Sequence, residues 1–314
     1  MSDTRRSFLQ TAAGVAAGIT GTAMAADTQV SGQAAQPLAC KPLPPSPIQV
    51  PKVKFGKAEI GRLVCGVNQL YGFSHFNSIL GTVMKDFYTP DRVCDLLHQC
   101  NRYGINTYNY VAVPRAQEDL EKFESQGGKI NLVCQGAEDP APMIKAVKPL
   151  AVYAQGEWID KYFQQGRMDE AKEWTKKVRD LGTMVGIGTH NPQVIAQVEE
   201  QNWDVDFYAG CVYYRTRSKE EWKKLLGGEL VEGQSDCYVQ SDPPKMYRVL
   251  RAAKKPCFAF KIMAAGRVSN AEQAFRTAYE SIKPTDCVFI GMFPRVKDEV
   301  HENAERVQRI LKKA

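Results

Sequence analysis

Lys261 lies in Phe258-Ala259-Phe260-Lys261-Ile262-Met263-Ala264, a largely apolar run where an ammonium is costly to bury unless paired or put to use. A desolvated lysine can act as a base, form a Schiff base or hold an anion. The structural alternative is a lysine that snorkels out or pairs with Glu157. His190 and His75 are candidate acid–base groups, because an imidazole changes charge near neutral pH. Tyr110 is a candidate substitute proton donor. Asn68, Asn109, Gln135 and Gln155 follow other apolar runs, and Glu157, Trp158 and Tyr213 stand near them in the pattern. Amides hydrogen-bond hydroxyls and aromatic faces stack on the apolar side of a sugar, so the set suits a small polyhydroxylated ligand. His98 and His301 fall on helices. Only His75, His190 and Glu157 remain as convergent ligands, and no metal centre is expected.

The elements that must position these residues are clearest in Leu181 to Gln201. Met184, Val185 and Ile187 form a short apolar run, and Gly188 to His190 form a tight exit. Asn191 is a helix N-cap with Pro192 at the first helical position, and Val194, Ile195 and Val198 line one face. This strand–loop–helix unit recurs. Apolar runs at 62–67, 105–111, 130–134, 149–154, 184–187, 205–212, 257–263 and 287–290 give eight strands. Helices are expected at 89–103, 116–126, 157–180 (divided at Gly166), from Pro192 through Val198, at 219–226, 243–253, 269–282 and through Val300 to Leu311. Residues 53–60 read as a hairpin. Such a chain closes into a single (β/α)8 TIM barrel with an N-terminal β-hairpin, and its reactive end lies at the C-terminal ends of the strands. The segment with Trp158, Tyr162 and Phe163 is a candidate lid over that end. Ser269 with Glu272 reads as a capping box.

The chain has 314 residues, 44% of them hydrophobic, and a formal charge of +6. Its Lys and Arg are scattered beside Glu and Asp, so no nucleic-acid footprint is expected. Nine cysteines include no CxxC pair, and five of them fall in strand-like runs. They read as small buried hydrophobes, and no disulfide framework is expected. Thr4-Arg5-Arg6-Ser7-Phe8-Leu9-Gln10, a weakly hydrophobic stretch and Ala23-Met24-Ala25 resemble a bacterial twin-arginine export signal. The organisation read from this is a signal peptide at 1–25, a Pro/Ala-rich tether at 26–52 and a barrel domain at 53–314. The expected location is periplasmic or secreted, with no membrane span after processing and with the twin-arginine machinery and a small molecule as partners.

Four pieces occur in order: the hairpin, Gly104-Ile105-Asn106, Gly186-Ile187-Gly188, and Ile290-Gly291-Met292 running to Glu302-Asn303. Together they resemble the aldo/keto reductases over residues 53–314. The resemblance implies NADPH as hydride donor and a Tyr, Asp, Lys and His tetrad. Here Asn109 stands at the Asp position, Gln135 at the Lys position and Gln155 at the His position, and Gly188-Thr189 replaces a Ser-Asn pair that holds the nicotinamide. Gly291, Arg295, Glu302 and Asn303 match the stretch that lies against the adenosine phosphate. With the tetrad replaced, non-redox acid–base chemistry through Lys261 and His190 suits the residues better than hydride transfer. An NADPH oxidoreductase with rearranged donors and a non-catalytic periplasmic binding protein are the alternatives.

Overall fold

The computed structural model describes residues 40–228, 230 and 236–312. The stretch expected to be an export signal and the first part of the expected tether lie outside these residues. Two antiparallel strands, β1 (Lys52–Phe55) and β2 (Ala58–Gly61), form the hairpin. Eight parallel strands then close a barrel: β3 (Leu63–Cys65), β4 (Thr107–Val111), β5 (Asn131–Gly136), β6 (Ala151–Ala154), β7 (Met184–Thr189), β8 (Phe207–Cys211), β9 (Cys257–Phe260) and β10 (Cys287–Ile290), with β10 pairing β3. Both faces of each strand are covered, which is why they read as continuous apolar runs.

Period-2 alternation divides the core into two layers. Val64, Val133, Tyr153, Phe207, Phe258 and Phe289 fill the interior, while Leu132, Val152, Val185, Tyr208 and Val288 meet the helices. The hairpin plugs the floor. The Phe55 ring meets Phe207 at 5.3 Å and Phe258 at 5.2 Å, edge to face, and Phe258 stacks on Phe289 at 4.7 Å. Gly56 turns this hairpin with φ +57°, and a Cβ there would overlap the Met184 sulfur. Gly56→Ala is therefore expected to cost about 1–2 kcal/mol, read as a lower urea midpoint with an unchanged slope.

Among the described residues eleven α-helices surround the barrel. In chain order they are α1 (Ser78–Phe87), α2 (Pro90–Arg102), α3 (Ala116–Ser125), α4 (Ala141–Val147), α5 (Gly156–Gln164), α6 (Met168–Asp180), α7 (Pro192–Glu200), α8 (Lys219–Leu226), α9 (Pro243–Ala252), α10 (Ala271–Ser281) and α11 (Glu299–Lys312). The sequence pattern missed two of them, α1 and α4. Of the two, α4 has only seven residues, is flanked by Pro140 and contains Pro142. The cap of α10 is Asn270, which accepts from the Gln273 N–H, rather than Ser269. Strand β9 stops at Phe260, short of Met263, because Lys261 turns to φ +61°. The proposed lid is a packed helix: Trp158 on α5 meets Trp174 of α6 at 5.6 Å, and Ile159 and Asp160 beside it are fully buried. No helix among the described residues is long and apolar enough to cross a membrane.

Residues 40–50 are packed, although their Pro-rich composition reads as a loose tether. The N–H groups of Ser46 and Val50 donate to Arg102 O and Tyr103 O, each at 2.9 Å, and Gln49 Nε2 reaches Arg102 O at 2.9 Å. The end of a helix leaves carbonyls without intrahelical partners, and this strap satisfies those of α2. Cys40 on the strap is disulfide-bonded to Cys94 on α2, with Cα atoms 5.7 Å apart. That pair corrects the expectation that the cysteines serve only as buried hydrophobes. Cys65, Cys134, Cys211, Cys257 and Cys287 are free and buried as expected.

Candidate active site

His190 follows β7 directly, at the C-terminal end of the barrel, and is 5% exposed. Its environment is built by a carboxylate that sequence reasoning missed. Asp160, on the inward face of α5, has no solvent exposure. It accepts from His190 N–H at 2.9 Å, His190 Nδ1 at 2.8 Å, Thr216 Oγ1 at 2.8 Å and Thr189 Oγ1. A carboxylate only accepts, so the neutral imidazole carries its proton on Nδ1 and presents the Nε2 lone pair. Gly156, at the start of α5, makes the close approach possible, since a Cβ there would stand 3.1 Å from His190 Cε1.

Nε2 faces the guanidinium of Arg215, with Nη1 3.3 Å away. Arg215 lies in the loop after β8 and is 6% exposed. Its Nη2 pairs with Asp236, and Nη1 lies 3.8 Å from Glu157. Both Asp236 carboxylate oxygens are 3.2 Å from His75 Nδ1. Asp160, His190, Arg215, Asp236 and His75 thus form one connected chain of polar contacts across the mouth. Burial and then the charges of Lys261 and Arg215 push the His190 pKa down, against the pull of Asp160. His190 is therefore neutral at neutral pH, with its Nε2 lone pair turned to the Arg215 guanidinium. Burial also lowers His75, and Arg215 and Lys261 add to that effect while Asp236 opposes it. Burial works to raise Asp236, but the His75 hydrogen bond and the surrounding positive charges bring it to about 2. The stabilisation held by Asp236 is complete above the ordinary value of 3.8 and is lost as pH falls through about 2.

Lys261 acts electrostatically on His75, His190 and Asp236, yet Nζ has no hydrogen bond or ion pair among the described residues. Five described non-glycine residues have positive φ, and three of them, Lys261, Ala264 and Ala265, occupy this one turn. Strain of this kind gathers at functional sites. Burial and then Arg215 bring the Lys261 ammonium down from 10.5 to about 8. Between those values the unfolded chain holds a proton that the fold does not, so this group makes stability rise with pH through that window. Acylation of Lys261 by a small amine-directed reagent is expected to reach half its maximal rate near pH 8, measured by peptide mass spectrometry. A midpoint at the ordinary lysine value would contradict this.

The other expected residues divide. Asn109 points inward and donates to Val133 O at 3.0 Å and Tyr153 Oη at 2.9 Å, so it lines the interior beneath the mouth. Gln135, on β5, is near enough to Tyr153 to offset part of the rise that burial causes in its phenol pKa. Gln155 is the residue before α5, and Asn68 opens a 3-10 turn after β3; both are half-buried. Glu157 is exposed and near Arg215. Tyr213 is buried against the Tyr238 ring at 5.1 Å. Trp158 packs outward on α6. Tyr110 requires correction as a proton donor. It alternates with Asn109, faces the helices in the outer layer against Tyr108, and burial raises its phenol to about 12. His190 also borders a small pocket lined by Pro192, Tyr214, Arg217, Asp242 and Met246.

The residues expected to hold a dinucleotide phosphate do not fit one as arranged. Glu302 pairs with Lys297 at 2.6 Å, and buried Asn303 accepts from Arg306 at 2.7 Å. Arg295 is exposed, and Gly291 lies close against the Gln69 side chain. The N–H groups an anion would use are already taken by carboxylates, Phe293 N–H by Glu299 at 2.7 Å and His301 N–H by Asp298 at 2.9 Å.

No family model and no curated protein matches the chain. Solved structures do. An aldo-keto reductase from Pseudomonas aeruginosa superposes with a TM-score of 0.52 at 12% identity, covering 84% of this chain and 97% of that one. A truncated 3-deoxy-D-arabino-heptulosonate 7-phosphate synthase from Thermotoga maritima gives 0.50 at 13% identity, covering 85% and 92%. At these identities the likeness establishes the shared barrel fold.

Proposed function

We propose that this chain is an exported barrel enzyme of aldo/keto reductase descent, turned from hydride transfer to acid–base chemistry on a small, polar, carbohydrate-like molecule. The observation that carries this is the Asp160–His190 pair, which fixes a neutral imidazole with its Nε2 lone pair at the mouth. His190 Nε2 takes a proton from a carbon or hydroxyl beside a carbonyl. Lys261 stabilises the oxygen that gains charge, or returns the proton, and Arg215 holds the substrate's polar end. Asn109, Gln135, Gln155 and Asn68 supply amides for hydroxyls. Elimination and isomerisation both fit this arrangement. Descent from the reductases is supported by the ordered motifs and by the likeness in fold.

The test is a screen of sugars and sugar acids in deuterium oxide, followed by proton NMR. A substrate should exchange a carbon-bound proton for deuterium, and His190→Gln should slow that exchange roughly 100-fold with calorimetric affinity retained. Ligand binding without exchange would favour a non-catalytic binding protein. Tight NADPH binding with hydride transfer would favour the oxidoreductase alternative.

Export is supported by the twin-arginine motif and by the Cys40–Cys94 bond, since disulfides persist in oxidising compartments. Residues 1–25 would then be removed, leaving the strap as the start of the folded domain. Mass spectrometry of the protein recovered from a periplasmic fraction checks this, with an intact Met1 in that fraction counting against it.

A further inference from the structure

We propose that Cys40, Cys94 and His98 form a soft-metal site that opens when the Cys40–Cys94 disulfide is reduced. Cys94 and His98 lie one turn apart on α2, so their side chains share a face. The strap brings Cys40 to the same spot. One donor atom from each residue lies within 4.8 Å of the other two.

The second observation is His98 itself. The residue is 1% exposed, and its Nε2 is buried with no hydrogen-bond partner. Its ring lies 4.7 Å from that of Phe123 on α3. A buried polar nitrogen without a partner is uncommon in a native fold and needs an explanation. Two sulfurs and an imidazole at one point supply it, because that donor set binds zinc or cobalt and not magnesium or calcium. Two thiolates and one imidazole leave a fourth tetrahedral position for water. The movement required falls on Cys40, which is half-buried on an extended strap, while the helix holds Cys94 and His98 in place.

The opening step balances with a phosphine as reductant. Disulfide, phosphine and water give two thiols and the phosphine oxide, and binding of a divalent ion then releases two thiol protons to solvent. The site is separate from the barrel mouth, so its test does not depend on the proposed reaction.

The experiment uses the chain from residue 26, reduced with phosphine, desalted without air and titrated with cobalt(II). The thiolate-to-cobalt charge-transfer band is expected to saturate at one ion per chain, and zinc should displace it. The oxidised protein should show no band. Cys40→Ser and His98→Phe should each weaken binding by roughly tenfold or more, with folding verified by circular dichroism. Absence of the band in the reduced protein, or full affinity in Cys40→Ser, overturns the proposal. Cys40→Ser keeps the test available if His98→Phe fails to fold.

Discussion

Replacing Asp160 by alanine is expected to lower the unfolding free energy by about 2–4 kcal/mol. The carboxylate has no solvent exposure and gathers donors from two places: Thr189 Oγ1 with the N–H and Nδ1 of His190 at the end of β7, and Thr216 Oγ1 in the loop after β8. Thr189 Oγ1 has a second acceptor in Asn191 O at 3.1 Å, and half-buried Thr216 can turn to water. The His190 N–H and Nδ1 have no such recourse. They would be left buried without an acceptor, and that is where the cost arises. Urea unfolding followed by tryptophan fluorescence measures it. A loss below about 1 kcal/mol would show that Asp160 is not structurally committed in this way. The same variant frees the imidazole tautomer, so the nitrogen-15 shifts of His190 should move even under conditions where the chain remains folded.

Removing the Cys40–Cys94 bond is the second large expectation. The cross-link closes a loop with a sequence separation of 54. The loop-closure model converts this to about 4 kcal/mol, an upper figure because unfolded chains retain structure and the entropic account is model-dependent. The strap itself buries little beyond Val50 and a few hydrogen bonds at the end of α2, so without the bond it should detach before the barrel unfolds. Cys40→Ser should therefore show early amide exchange at Ser46 and Val50 and a lower thermal midpoint. Equal stability with and without reductant would contradict the assignment of this bond as a stabiliser.

How much of this the sequence could disclose follows from what each feature depends on. The eight strands are legible because each is apolar on both faces, and α7 begins and α8 spans where the sequence places them because capping side chains mark their starts, Asn191 for one and Ser218 for the other. The site is legible only in part. Lys261 and His190 stand out as polar residues in apolar settings. Asp160, Arg215 and Asp236 derive their importance from contacts across 30, 25 and 21 positions, which no local pattern reports. A signal for Asp160 did exist: it sits between Ile159 and Phe163 on the apolar side of an amphipathic helix, where a carboxylate needs partners. Tyr110 was misplaced for a simpler reason, since Asn109 and Tyr110 cannot both face inward on one strand.

Phe55 has a further effect. With its ring seated among Phe207 and Phe258, Phe55 stops the barrel at the pole opposite the C-terminal ends of the strands. Under the reaction proposed above, substrate and product would share the one remaining side of the barrel, so product is expected to inhibit competitively, checked by initial rates with added product.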